Sequence, residues 1–173
     1  MLAREAVLSA RADGGPAPVV AQDALQRTVD TATTFRLRLA GHAARVTSAA
    51  FSPDGRLIVT AGDDGPARVW DAITGQEVRQ LAGDGDSVLS ATFSPDGRLI
   101  ATADFHSARV WDAATGQEVH QLTGHAASVL SAAFSPDGRL IVTAGYDGTA
   151  WVWDAATGAP LSLIHISEPT RPY

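Results

Sequence analysis

The chain of 173 residues has no cysteine, no lysine and a single methionine. Without cysteine there is no disulfide, no thiolate metal site and no thiol nucleophile. All thirteen basic residues are therefore arginine, a coding bias expected of a GC-rich genome, which points to a bacterial source. A net charge of −6 gives no support to binding nucleic acid or an anionic membrane, both of which need basic surface. No run of about 18 apolar residues exists, so no membrane span is expected. The first residues carry Glu5 and Asp13 and lack an apolar segment with a cleavage site, so they do not read as a signal peptide. A cytoplasmic location is expected. No loop of the form G-x-x-x-x-G-K-[ST] is present, so no ATPase site is expected in this chain.

What the sequence does have is repetition. Phe-Ser-Pro-Asp-Gly-Arg-Leu-Ile occurs at Phe51–Ile58, Phe93–Ile100 and Phe134–Ile141. Val-Trp-Asp-Ala occurs at Val69–Ala72, Val110–Ala113 and Val152–Ala155. Gly41-His42 and Gly124-His125 open the first and third copies, and Gly83-Asp84 opens the second. Equivalent residues recur after 41 or 42 positions. That period suits either four short strands or a pair of helices.

The residues between the motifs decide for strands. Ser-Pro-Asp-Gly suits a type I turn, with Pro fixing φ at the second position and Gly ending the turn. A helix would not tolerate that proline three times in its interior. Leu-Ile-Val-Thr-Ala, Ala-Arg-Val-Trp and Gln-Glu-Val-Arg-Gln-Leu are short, partly β-branched and bounded by Gly or Asp. Each copy reads as a four-stranded antiparallel meander. In the first, the strands are expected near Val46–Phe51, Leu57–Ala61, Ala67–Trp70 and Glu77–Leu81.

Gly-His, Phe-Ser-Pro-Asp-Gly, Thr, Asp and Trp-Asp at this spacing resemble the WD-repeat family of β-propellers, over about Phe35 to Ala159. The resemblance implies a mainly β fold: a partial propeller of three four-stranded blades, at about 41–81, 83–122 and 124–160. It also implies a leading strand over 35–39 that completes the last blade of the ring, with further blades missing from this chain. Such blades bury both sheet faces on their neighbours, which accounts for small and apolar residues at nearly every strand position. Trp151 replaces the Arg68 and Arg109 of the other copies, and is expected near the open side of the third blade.

In that family a His, a Ser or Thr, an Asp and the Trp form a hydrogen-bonded chain inside each blade. The resemblance assigns this network to His42, Thr60, Asp64 and Trp70 in the first copy. In the third copy it assigns His125, Thr143, Asp147 and Trp153. A buried indole N–H needs an acceptor and a buried carboxylate needs donors, and a histidine can link them with one ring nitrogen toward each. A catalytic triad is the rival reading. A catalytic group should occur once, however, and this set recurs with every copy and ends on a Trp. Asp54, Asp96 and Asp137 read as turn residues for the same reason. His106, His120 and His165 share no metal-ligand spacing, so neither a metal nor another cofactor is expected.

The second copy departs from the pattern. Asp84 stands at the His position, and His106 stands where the first copy has Asp64. Its loop is one residue shorter. Either the blade has lost its network, or Asp84 and His106 are a swapped pair meeting across it.

Residues 1–34 read as a helical hairpin broken at Gly14-Gly15-Pro16. They resemble the connectors preceding propellers in bacterial STAND-type ATPases or kinase fusions. The ending 161–173, LSLIHISEPTRPY, loses the repeat and resembles translated sequencing-adaptor read-through. The expected function is a non-catalytic scaffold for a protein or peptide, or the sensor arm of a larger signalling enzyme. The expected docking rim combines the loop before each first strand with the loop before each Trp-Asp strand. Those loops carry Arg45 and Asp63, Ser87 and Phe105, and Ser128 and Tyr146.

Overall fold

The computed structural model of the chain describes residues 37–83, 85 and 87–161. The expected helical hairpin over 1–34, the tail from residue 162 and the side chain of Asp84 lie outside the described residues. Eleven strands follow one another among the described residues. The first copy forms β1 (Val46–Phe51), β2 (Leu57–Gly62), β3 (Ala67–Asp71) and β4 (Glu77–Leu81). The second forms β5 (Val88–Phe93), β6 (Leu99–Asp104), β7 (Ala108–Asp112) and β8 (Glu118–Leu122). The third forms β9 (Val129–Phe134), β10 (Leu140–Gly145) and β11 (Ala150–Asp154). Each copy is one antiparallel sheet with its strands side by side in chain order.

The turns explain the boundaries. Ser52 accepts the Gly55 N–H at 2.8 Å, and Gly55 takes φ +69°. The Ser52 hydroxyl donates to Asp54 at 2.6 Å and accepts the Leu57 N–H at 2.9 Å, so the turn hands the chain directly to β2. At the other end Asp71, the Asp of Trp-Asp, accepts the Ile73 and Thr74 N–H groups and the Thr74 hydroxyl. Gly75 follows at φ +70°. Asp112 and Asp154 repeat this anchor.

Among the described residues the third sheet has three strands; the stretch expected to form its fourth runs on past residue 161, beyond the described residues. Pro160 stands where Glu77 and Glu118 begin the fourth strand, and it forms only an isolated bridge to Trp153. Proline offers no N–H to a ladder; the Leu161 N–H still reaches the Val152 carbonyl at 2.8 Å. The described part of the leading strand, Leu37 to Leu39, is not in a strand. An extended segment becomes a strand only beside a free edge, and none of the ladders includes these residues.

The sheets stack through their faces. Val59, Ala61, Ala67 and Val69 of the first sheet bury against Val88, Ala91, Phe93 and Ile100 of the second. Ala101, Ala103, Ala108 and Val110 of the second then bury against Val129, Ala132 and Ile141 of the third. Side chains tie the layers as well. Arg79 donates to the Ala113 carbonyl at 2.8 Å, and the His120 ring to that of Ala156 at 2.9 Å. Trp151 stacks on Trp153 with centroids 5.4 Å apart and packs on the core between the second and third sheets. The expectation that it faces the open side is therefore wrong. Residues two apart share a face, and the face of Trp153 is the one turned toward the second sheet.

Candidate functional site

In the first sheet the four expected network residues meet. The Trp70 indole N–H donates to the Thr60 hydroxyl at 2.8 Å. Thr60 Oγ1 lies 2.7 Å from His42 Nε2, and His42 Nδ1 lies 2.6 Å from Asp64. The third sheet repeats this, with Trp153 to Thr143 at 2.8 Å, Thr143 to His125 at 2.8 Å and His125 to Asp147 at 3.0 Å. The histidine does not hydrogen-bond the indole, contrary to expectation; the threonine hydroxyl stands between their nitrogens. Donor chemistry sets the order. The carboxylate only accepts, so His Nδ1 carries a hydrogen. The indole only donates, so the threonine oxygen accepts it and spends its own hydrogen on His Nε2. A neutral histidine satisfies every group in the chain.

The carboxylates are further anchored. Asp64 accepts the Ala43 N–H at 3.0 Å and Arg68 at 3.3 Å. Burial works against its ionised form. The hydrogen bonds from His42 and the Ala43 N–H outweigh that and hold its pKa at about 2. The Asp147 carboxyl lies well below the usual carboxylate range, chiefly because the Thr149 hydroxyl and N–H donate to it. The chain ends on a buried indole at Trp70 and Trp153. Each hydrogen-bonding group in the set is taken up by a partner within the blade, which is the arrangement of a brace.

The second sheet keeps only part of this. Trp111 donates to Thr102 at 2.8 Å. The acid has moved to Asp104, which sequence reasoning missed. Asp104 accepts the N–H groups of His106 and Ser107 at 2.8 and 2.7 Å and faces Arg109 Nε at 3.3 Å. Arg109 reaches on to Glu118 at 2.9 Å. Both Asp104 and Arg109 are buried. Asp104 holds the ladder position that Gly62 and Gly145 hold in the other copies. At Gly62 a Cβ would come within 2.6 Å of the Arg45 carbonyl and 3.3 Å of His42 Nδ1. At Gly145 it would strike the His125 ring and Asp147. A side chain at this position and a histidine ring in the pocket exclude one another. The signal was available in the sequence, as the one copy with Asp in place of Gly is also the one without His. Whether Asp84 meets His106 lies outside the described residues.

The expected rim residues all lie at the edge where β1, β5 and β9 begin and the β2–β3, β6–β7 and β10–β11 loops turn. Arg45 Nε donates to Asp63 at 3.0 Å. The Ser87 hydroxyl donates to the Asp63 carbonyl at 3.0 Å, which joins the first and second loops. The Tyr146 N–H reaches the Ser128 carbonyl at 2.8 Å. Phe105 is 45% exposed and Tyr146 78% exposed. No group of His, Asp or Glu among the described residues could hold a metal ion. No helix among them is long and apolar enough to cross a membrane.

The family model described as "WD domain, G-beta repeat" matches three times, over residues 33–71, 75–112 and 116–154. Together these segments span two thirds of the chain. The chain belongs to the WD40 family. The second and third WD40 units each run from the outer strand of one sheet to the third strand of the next, so the repeat itself stitches neighbouring blades. Among curated proteins, the chain is 49% identical over 47 residues to ribosome biogenesis protein erb1 of Aspergillus clavatus. That match covers 27% of this chain and 6% of the relative. The protein of the same name from Neurospora crassa is 41% identical over 63 residues, covering 36% of this chain and 6% of its own length. Among solved structures, the WD40 repeats of RRP9 superpose with a TM-score of 0.69 at 25% identity, covering 72% of this chain and 39% of that one. U3-55K gives a TM-score of 0.69 at 24% identity, covering 72% and 40%. These curated relatives are fungal. They lend no support to a bacterial source, a signalling-enzyme fusion or an adaptor origin for residues 161–173.

Proposed function

We propose that this WD40 chain is a non-catalytic scaffold that docks a protein or peptide on the rim carrying Arg45, Asp63, Phe105 and Tyr146. The observation that carries the reading is the exposure of Phe105 and Tyr146 on loops of neighbouring sheets at one edge. Aromatic and arginine side chains dominate binding energy where they become buried at an interface. Neither ring packs into the core, so their presence is not explained by stability. The rim is set by backbone hydrogen bonds to β-strands, which keeps the ordering cost of docking low. The net charge of −6 favours a protein partner over a nucleic acid. The erb1 matches are about one repeat long and report the shared repeat; they do not carry that protein's whole role to this chain.

The test is affinity capture with the wild-type chain and with the Phe105→Ala/Tyr146→Ala variant, from the same lysate, followed by binding measurements on whatever the wild type retains. The variant should lose at least tenfold in affinity while its melting profile stays unchanged. Equal affinity in the two would remove the rim from the site.

A further inference from the structure

We propose that the segment docked on the rim presents a cationic side chain, arginine or lysine, to the β10–β11 loop at Tyr146 and Asp147. This rests on the rim reading above and names the chemistry its partner carries. Behind it is a difference in how the three sheets balance an ionised carboxylate.

In the first sheet each loop acid has an arginine beside it. Asp63 accepts from Arg45 Nε at 3.0 Å, and Asp64 faces Arg68 at 3.3 Å. In the second, Asp104 faces Arg109 at 3.3 Å. In the third, both arginine positions hold something else. The Asp63 N–H bonds the Arg45 carbonyl and the Tyr146 N–H bonds that of Ser128, so Ser128 stands where Arg45 stands. Trp151 pairs with Thr143 as Arg68 pairs with Thr60 and Arg109 with Thr102, so Trp151 stands where those arginines stand.

Asp147 is held by other donors. The Ala126 N–H reaches it at 2.8 Å, the Thr149 N–H at 2.9 Å, the Thr149 hydroxyl at 2.7 Å and His125 Nδ1 at 3.0 Å. The Trp151 indole donates in turn to the Thr149 hydroxyl at 3.1 Å. All of these donors are neutral, the histidine because of its place between Thr143 and Asp147. They stabilise the ionised form without cancelling its charge. Among the described residues no arginine lies within ion-pair distance of Asp147. Every contact here is made within the third sheet and its own loops, so the imbalance is independent of what borders that sheet.

Tyr146, the preceding residue, is 78% exposed. A cation is attracted to the face of an aromatic ring, and a carboxylate one residue away adds its field. The four hydrogen bonds on Asp147 already occupy its oxygens. The ring therefore makes the contact, and the carboxylate sets the sign of the charge that is accepted.

Panning a phage library of random peptides on the full chain tests the proposal. The selected peptides should carry arginine or lysine well above the library frequency, and a synthetic peptide of their consensus should bind more weakly as salt rises. Tyr146→Ala removes the ring, and Ser128→Arg restores a cation that the first sheet has. Each should weaken that peptide by about tenfold, with the circular dichroism of the wild type retained. Full affinity in either variant overturns the proposal. Peptides without an excess of basic residues that are nonetheless lost to the Phe105→Ala/Tyr146→Ala variant leave the docking rim standing and overturn only the cation. Peptides indifferent to that double variant overturn both, as does a selection that enriches nothing.

Discussion

Replacing Thr60 by Val is the sharpest test of the network, because it removes one atom's chemistry and almost no volume. Thr60 and Trp70 are both buried. The hydroxyl accepts the indole N–H at 2.8 Å and meets His42 Nε2 at 2.7 Å. Valine leaves both without a partner, where water cannot replace it. An orphaned buried polar group costs about 1–3 kcal/mol. Two of them, less the better strand propensity of valine, give about 2–4 kcal/mol. The second sheet supplies the internal control. Thr102 holds Trp111 at 2.8 Å but no histidine among the described residues, so Thr102→Val should cost about half as much, about 1–2 kcal/mol. Urea unfolding followed by tryptophan fluorescence, on the same chain and at one protein concentration, measures both. Equal losses at the two positions would refute the relay through His42, and losses within about 0.5 kcal/mol at both would refute the claim that these hydroxyls are structural.

Trp70→Ala should cost more, about 3–5 kcal/mol, since it opens a cavity as well as breaking the chain; a loss no larger than that of Thr60→Val, in the same urea titration, counts against it. Gly145→Ala should cost about 1–3 kcal/mol by overpacking, and the same change should cost less in a His125→Ala background, which vacates the pocket; additive losses in that cycle would end the exclusion argument. For pH, Asp64 titrates at about 2 when folded against an ordinary 3.8. The unfolded chain therefore binds more protons between those values, so this contribution is complete above 3.8 and is lost as pH falls toward about 2. Acid titrations monitored by circular dichroism should show that limb flattened in Asp64→Asn; an unchanged limb would contradict the pairing with His42.

The strands were legible because their ends are written in turn chemistry. Ser52-Pro53-Asp54-Gly55 and Asp71 with Gly75 stop and restart the chain wherever they occur, independent of tertiary context. The membership of the network was legible for a different reason, since its residues recur at fixed intervals. Its order was not, because spacing along the chain cannot tell whether Thr60 or His42 stands next to the indole; only the count of donors and acceptors does. The side of Trp151 was misjudged because strand alternation relates neighbours on one strand but does not say which face meets the preceding sheet.

The mutual exclusion between a histidine in the pocket and a side chain at the Gly62 position has an evolutionary reading. A repeat that keeps its histidine must keep glycine, the following aspartate and with them a loop of fixed shape, so most substitutions there are closed to it. A repeat that gives the histidine up is released from all of these at once. In this chain the released copy is the one whose β6–β7 loop has shortened, has acquired the buried Asp104–Arg109 pair and presents Phe105 to solvent. Two copies thus keep the constrained frame while the third is released from it, and duplication supplies novelty at a loop of the proposed docking rim.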